Sequence, residues 1–115
     1  MIRQGDVYWV DLGRPHGSAP GFLRPLVVVQ NDAFNRSGIN TVVACIVTSN
    51  LGRATAPGNV LLRRGEGGLP RRSVVNVSQL VTIDKSELTE KIGSLSKSRI
   101  REILDGITLV LLPSD

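Results

Sequence analysis

The chain has 115 residues, 41% of them hydrophobic, a balance that suits one globular domain over residues 1–115 and excludes a disordered segment. No window approaches the roughly eighteen uninterrupted apolar residues of a membrane span, and Met1-Ile2-Arg3-Gln4-Gly5 lacks the apolar stretch of a signal peptide, so a cytoplasmic protein without membrane contact is expected. The formal charge of +4 is unevenly spread: residues 1–72 carry nine basic and four acidic side chains, residues 73–115 five and six, which points the first segment toward a polyanionic partner.

Asp6 to Leu12 reads as a first strand, and Gly13 to Leu23 as a loop punctuated by Pro15, Gly17, Pro20 and Gly21. Leu26 to Gln30 follows as a central strand, apolar enough to be covered on both faces. Asn31 can cap a short helix over the next residues. Thr41 to Thr48 is the next strand, and a polar loop runs from Ser49 to Asn59. Val60-Leu61-Leu62 and Ser73 to Val77 are shorter strands, with Leu80 to Ile83 continuing the sheet. Eight of the twelve glycines fall between 13 and 21, 52 and 58, and 65 and 68, in loops that are either mobile or approached closely by another backbone. The only long helix is the last. Ser96 or Ser98 caps it, and Ile100, Ile103, Leu104, Ile107 and Leu111 share one face. Gly106 inside that helix, about 1 kcal/mol worse than alanine, implies close packing. The fold class is α+β: a strongly bent antiparallel sheet, like a small barrel, closed by a C-terminal helix.

Arg24-Pro25 at the mouth of Leu26-Val27-Val28-Val29, with Thr48-Ser49-Asn50 ending the next apolar run, holds the most chemical information. The residue before a proline is driven out of the helical region, so Arg24 is extended and can aim a planar fork at a phosphate. Thr48 offers a hydroxyl where a buried strand ends. An anion site and a plain surface ion pair beside a strand end are both consistent with these residues alone. One histidine, His16, and one cysteine, Cys45, cannot assemble a Ser-His-Asp relay or a His/Cys metal cluster, so no metal or cofactor is called for. Cys45 lies in the apolar run 42–47 and reads as a buried, inert thiol. Tyr8, Trp9, Phe22 and Phe34 are too few for a base-stacking platform.

Taken together, Arg3-Gln4-Gly5-Asp6-Val7-Tyr8-Trp9, Gly17-Ser18 before Arg24-Pro25, Val47-Thr48-Ser49, Ser73-Val74-Val75, Gln79-Leu80 with Thr82-Ile83-Asp84-Lys85, and Leu88 through Lys91-Ile92-Gly93 resemble the MazF/PemK family of toxin ribonucleases along the whole chain. The resemblance implies a ribosome-independent endoribonuclease, the toxin of a toxin–antitoxin pair, that cuts single-stranded RNA at short sequences. It implies an SH3-like barrel of the PemK/CcdB kind acting as a homodimer. It also implies a MazE-like antitoxin whose extended segment covers the RNA groove. The family's catalytic arginine and threonine map onto Arg24 and Thr48, and Ser18, Ser49, Asn50, Asn76 and Gln79 match positions lining that groove.

Two departures stand out. Many relatives carry Glu-Gln where this chain has Ala19-Pro20, and some carry an acid where it has Ser78, so neither place supplies a carboxylate base. Two other readings follow from related barrels. A CcdB-like gyrase poison would place a tryptophan near its end, whereas this chain closes Leu111-Leu112-Pro113-Ser114-Asp115. A non-catalytic RNA-binding barrel is a third reading, made slightly more plausible by Ala19-Pro20 and Ser78.

Overall fold

The computed structural model describes residues 1–18 and 21–115. Six strands form one sheet in the order β4-β5-β3-β2-β1-β6, and every neighbouring pair is antiparallel. The strands are β1 (Asp6–Asp11), β2 (Leu23–Val28), β3 (Thr41–Thr48), β4 (Val60–Leu62), β5 (Ser73–Asp84) and β6 (Glu90–Ser94). A single helical turn, α1 (Asp32–Asn35), follows β2, and α2 (Lys97–Leu111) ends the chain. Asn31 caps α1 by accepting from the Ala33 N–H, as its position suggests. Ser96, rather than Ser98, caps α2 through the Arg99 N–H.

Both faces of the central strands are buried. On one face Val7, Val27, Cys45, Val47, Val75 and Val77 pack with Leu62, Leu69, Leu95 and Ile103 of α2. On the other, Tyr8, Val10, Leu26, Val28, Ala44 and Ile46 pack with Ile83 and Leu88. Alternation along β2 and β3 produces this division, and it accounts for the near-continuous apolar runs in those strands. Cys45 is fully buried, and burial pushes its thiol up to about 12, so it is inert at neutral pH.

Four features differ from the sequence reading. First, β2 begins at Leu23, not Leu26: Arg24 and Pro25 lie inside the strand, opposite Val10 and Trp9. Pro25 is tolerated there because β3 joins β2 only from Leu26 onward, so no ladder partner on that side needs the missing N–H. At its far end the strand stops at Val28, and the Val29 and Gln30 N–H groups both turn to the Val43 carbonyl. Second, residues 73–84 form one strand with a bulge. Cys45 faces Leu80 while Ile46 faces Asn76, so Val77, Ser78 and Gln79 are extra on the β5 side and bend the sheet. Third, Glu90–Ser94 is an edge strand on β1, which its polar composition conceals. Fourth, Leu111 does not pack: α2 buries Ile103 and Gly106, while Leu111 is 65% exposed.

Two glycine contacts hold the layers together. Gly67 and Gly68, both at positive φ, lie against the backbone of Ile92 and Gly93, where a Cβ on Gly68 would overlap a carbonyl. Gly67 and Gly68 are therefore approached closely by another backbone, whereas Gly65 stands in open space. Gly106 of α2 lies on Gly58 with no room for a Cβ beside the Gly58 carbonyl. Gly106→Ala should thus lower stability by about 1 kcal/mol or more, despite the ~1 kcal/mol gained in helix propensity. An unchanged or raised urea midpoint would contradict this contact.

Arg99 of α2 grips the same glycine segment through a two-point bond to Glu66, at 2.9 and 3.0 Å, and also pairs with Glu102. The Arg99 guanidinium, followed by the Arg63 N–H, holds the Glu66 carboxyl below the usual range. A depressed carboxyl pKa stabilises the fold above the unfolded-state value, and that contribution fades as pH falls through the folded-state value. Arg99→Met should therefore cost about 1 kcal/mol near neutrality and little in strong acid. A loss that stays constant with pH would sink this assignment.

Candidate active site

Alternation and register bring Arg24 and Thr48 together. Arg24 continues the row Leu26-Val28, and Thr48 continues Ala44-Ile46, on the same face of the sheet. Leu26 faces Ile46 in the last β2–β3 pair, and just beyond it Arg24 and Thr48 line one cleft. Asn76 flanks Ile46 from the other side, and the β5 bulge then brings Gln79 round to the same place. The result is an open cleft of about 390 Å³ lined by Ser18, Arg24, Ile46, Thr48, Ser49, Asn50, Arg53, Asn76 and Gln79. All seven side chains singled out in the sequence converge there. Arg53 and Ile46 were not anticipated. Arg53 arrives on a short 3-10 turn, Leu51–Thr55, that an ordinary polar-loop composition does not advertise.

Four of these side chains, Arg24, Thr48, Asn50 and Asn76, are held by local bonds that leave other polar atoms over. Arg24 Nε donates to the Gly21 carbonyl at 3.2 Å, fixing the guanidinium plane. Among the described residues no carboxylate lies within ion-pair distance of it, so the surface ion-pair reading has no partner. Thr48 Oγ1 accepts from the Asn50 N–H at 3.1 Å, which orients the hydroxyl and leaves its proton to donate. Asn50 Oδ1 accepts from Gly52 N–H and caps the turn that carries Arg53. Asn59 staples that turn to the bulge, donating to the Arg53 carbonyl and accepting from the Val77 N–H. Asn76 Oδ1 accepts from the Ser78 hydroxyl, so Ser78 buttresses Asn76.

Among the described residues the lining contains two guanidiniums, hydroxyls and amides, but neither a carboxylate nor an imidazole. Ser78 offers no acid, and Ala19-Pro20 lies outside the described residues. His16 is exposed and does not line this cleft. Among the described residues no three His, Cys, Asp or Glu side chains are grouped to hold a metal, and no helix is long and apolar enough to cross a membrane. The arrangement suits a polyanion whose bond can be broken without a protein nucleophile.

A bent antiparallel half-barrel, closed by a helix and carrying a cleft lined by Arg24 and Thr48 at its strand ends, sets the class of protein. The model of the PemK-like, MazF-like toxin of type II toxin–antitoxin systems matches residues 3–111. Endoribonuclease MazF6 of Mycobacterium tuberculosis is 43% identical over 111 residues, 96% of this chain and 97% of its own. Endoribonuclease MazF of Staphylococcus saprophyticus is 36% identical over 111 residues, covering 96% of this chain and 92% of its own. A solved endoribonuclease from a mycobacterial species, in complex with its cognate antitoxin, superposes with a TM-score of 0.79 at 28% identity over 100% of both chains. This chain belongs to the PemK-like, MazF-like toxin family, and the gyrase-poison reading is set aside.

Proposed function

We propose that the chain, as one domain over residues 1–115, is the endoribonuclease toxin of a toxin–antitoxin pair, acting in the cytoplasm on single-stranded RNA. The observation that carries this is that Arg24 and Thr48 line one cleft rich in donors, on a chain whose curated relatives are endoribonucleases. RNA brings its own nucleophile, the 2′-hydroxyl beside each phosphate. Its oxygen bonds to phosphorus, its proton leaves to water, and the bond to the 5′-oxygen of the next nucleotide breaks. Charge accumulates on the five-coordinate phosphorus, where prepositioned donors lower the barrier most. Arg24 and Thr48 serve that charge, and Arg24 passes a proton to the departing oxygen before regaining one from water. Ser18, Ser49, Asn50, Asn76 and Gln79 hold the strand through its phosphates and bases, with Arg53 as a second cation. The products are a 2′,3′-cyclic phosphate and a 5′-hydroxyl. An antitoxin segment lying extended across the same cleft would switch the enzyme off.

Purified protein incubated with a long single-stranded RNA in chelator tests the reading. Discrete fragments are expected, whereas RNA that is bound but intact would favour the non-catalytic binder.

Assembly enters the same proposal. Leu109, Val110, Leu111 and Leu112 of α2 and the residue after it are 43–65% exposed, beside Leu61 of β4. So much apolar surface on one end of a helix suits a twofold, isologous contact with a second copy. Light scattering should give a dimer at micromolar concentration, and a monomer would contradict this.

A further inference from the structure

A second cleft, of about 300 Å³, opens on the opposite face of the sheet and shares Arg24 and Ser49 with the first. Its walls are Trp9, Leu23, Pro25, Val47, Leu69 and Pro70, with exposed Arg71 beside them. Register explains the aromatic: Trp9 faces Pro25 across the β1–β2 ladder, one residue past the Val10–Arg24 pair. The two clefts thus meet round the open ends of β2 and β3. Trp9 is only half-buried and Leu23 is 59% exposed, so apolar side chains face a space that the described residues do not fill.

We infer that this second cleft is a base pocket: it takes the nucleobase next to the phosphate held at Arg24, against the Trp9 ring. The inference rests on the ribonuclease reading and goes beyond it by adding a specificity-determining contact. Three observations favour an RNA base over another apolar group. The pocket adjoins the phosphate cleft, with Arg24 and Ser49 lining both. A guanidinium, Arg71, stands at its rim, with Arg72 and Arg64 also exposed nearby in sequence, so the surroundings suit a polyanion. The walls are mostly apolar with one aromatic ring, Trp9, and the polar groups are confined to Arg24, Ser49, Arg71 and Ser73, which suits a flat ring with a polar edge. Ser49, common to both clefts, is placed to read the edge of that base.

Trp9 is the only tryptophan, so its fluorescence reports on this pocket alone. The full-length protein would be titrated with single-stranded RNA carrying a 2′-O-methyl sugar 5′ of a mapped cut. Binding should quench Trp9, and an abasic nucleotide at one of the two positions flanking the cut should remove the quenching and weaken binding about tenfold. Leu23→Ala, at a position 59% exposed, should weaken the quenching and shift the preference for the base at that position. RNA that is cleaved and bound with Trp9 silent, and with abasic sites tolerated at both positions, would overturn the base pocket and leave the ribonuclease reading intact. Quenching by an antitoxin peptide but not by bound RNA would assign the pocket to a protein and equally overturn it. Neither cleavage nor binding of any RNA would overturn both.

Discussion

Arg24→Ala should reduce RNA cleavage by at least about 10²-fold, the scale on which a lost prepositioned donor raises a barrier. Arg24 is bonded through Nε to the Gly21 carbonyl, leaving both terminal amino groups to serve the phosphate. Arg24→Lys should fail almost as badly, because an ammonium is a point charge on a flexible stem and does not replace a planar fork. The protein should remain folded, since Arg24 is only half-buried and lies beyond the last β2–β3 pair. Near-normal cleavage by the lysine variant would show that charge alone suffices, and the geometric role given to the guanidinium would be wrong.

A single 2′-deoxy or 2′-O-methyl sugar immediately 5′ of the cut should abolish cleavage at that bond, the largest effect expected from any one change. In the proposed reaction the 2′-hydroxyl is the nucleophile, and the donors that line the cleft serve the charge its attack builds on the phosphate. Binding should fall only slightly, because most protein contacts would be to phosphates and bases. Thr48→Ala should reduce cleavage of the all-ribose strand more than its binding, as expected of a donor that acts mainly in the transition state. Retained cleavage of the deoxy-substituted strand at the same bond would require a water nucleophile.

Arg24 and Thr48 could be paired from sequence because each ends an apolar run, and the strand period of two puts both on one face once the runs are neighbours. Asn76 and Gln79 are a different case. In an unbroken strand, three residues apart means opposite faces; only the bulge after Ile46's partner brings both into the cleft. Nothing in Asn76-Val77-Ser78-Gln79 marks that bulge, and resemblance to a family, not pattern, supplied those residues. The edge strand β6 escaped notice because Glu90-Lys91-Ile92-Gly93-Ser94 has one large apolar side chain and needs no more, being paired on one side only. Arg53 depends on the Asn50 cap and the Asn59 staple, both long in reach and silent in periodicity. Gly106, by contrast, was legible: a helix-interior glycine is tolerated where another backbone takes the place of its side chain, as Gly58 does here.

The chemistry of the new RNA ends tests the central claim most directly. A short RNA with one cleavage site, cut by the wild-type protein in chelator, should yield an upstream fragment ending in a 2′,3′-cyclic phosphate and a downstream fragment beginning with a 5′-hydroxyl. Both ends can be read by mass spectrometry. A downstream fragment carrying a 5′-phosphate, with a free 3′-hydroxyl upstream, would contradict attack by the 2′-hydroxyl at the Arg24–Thr48 cleft.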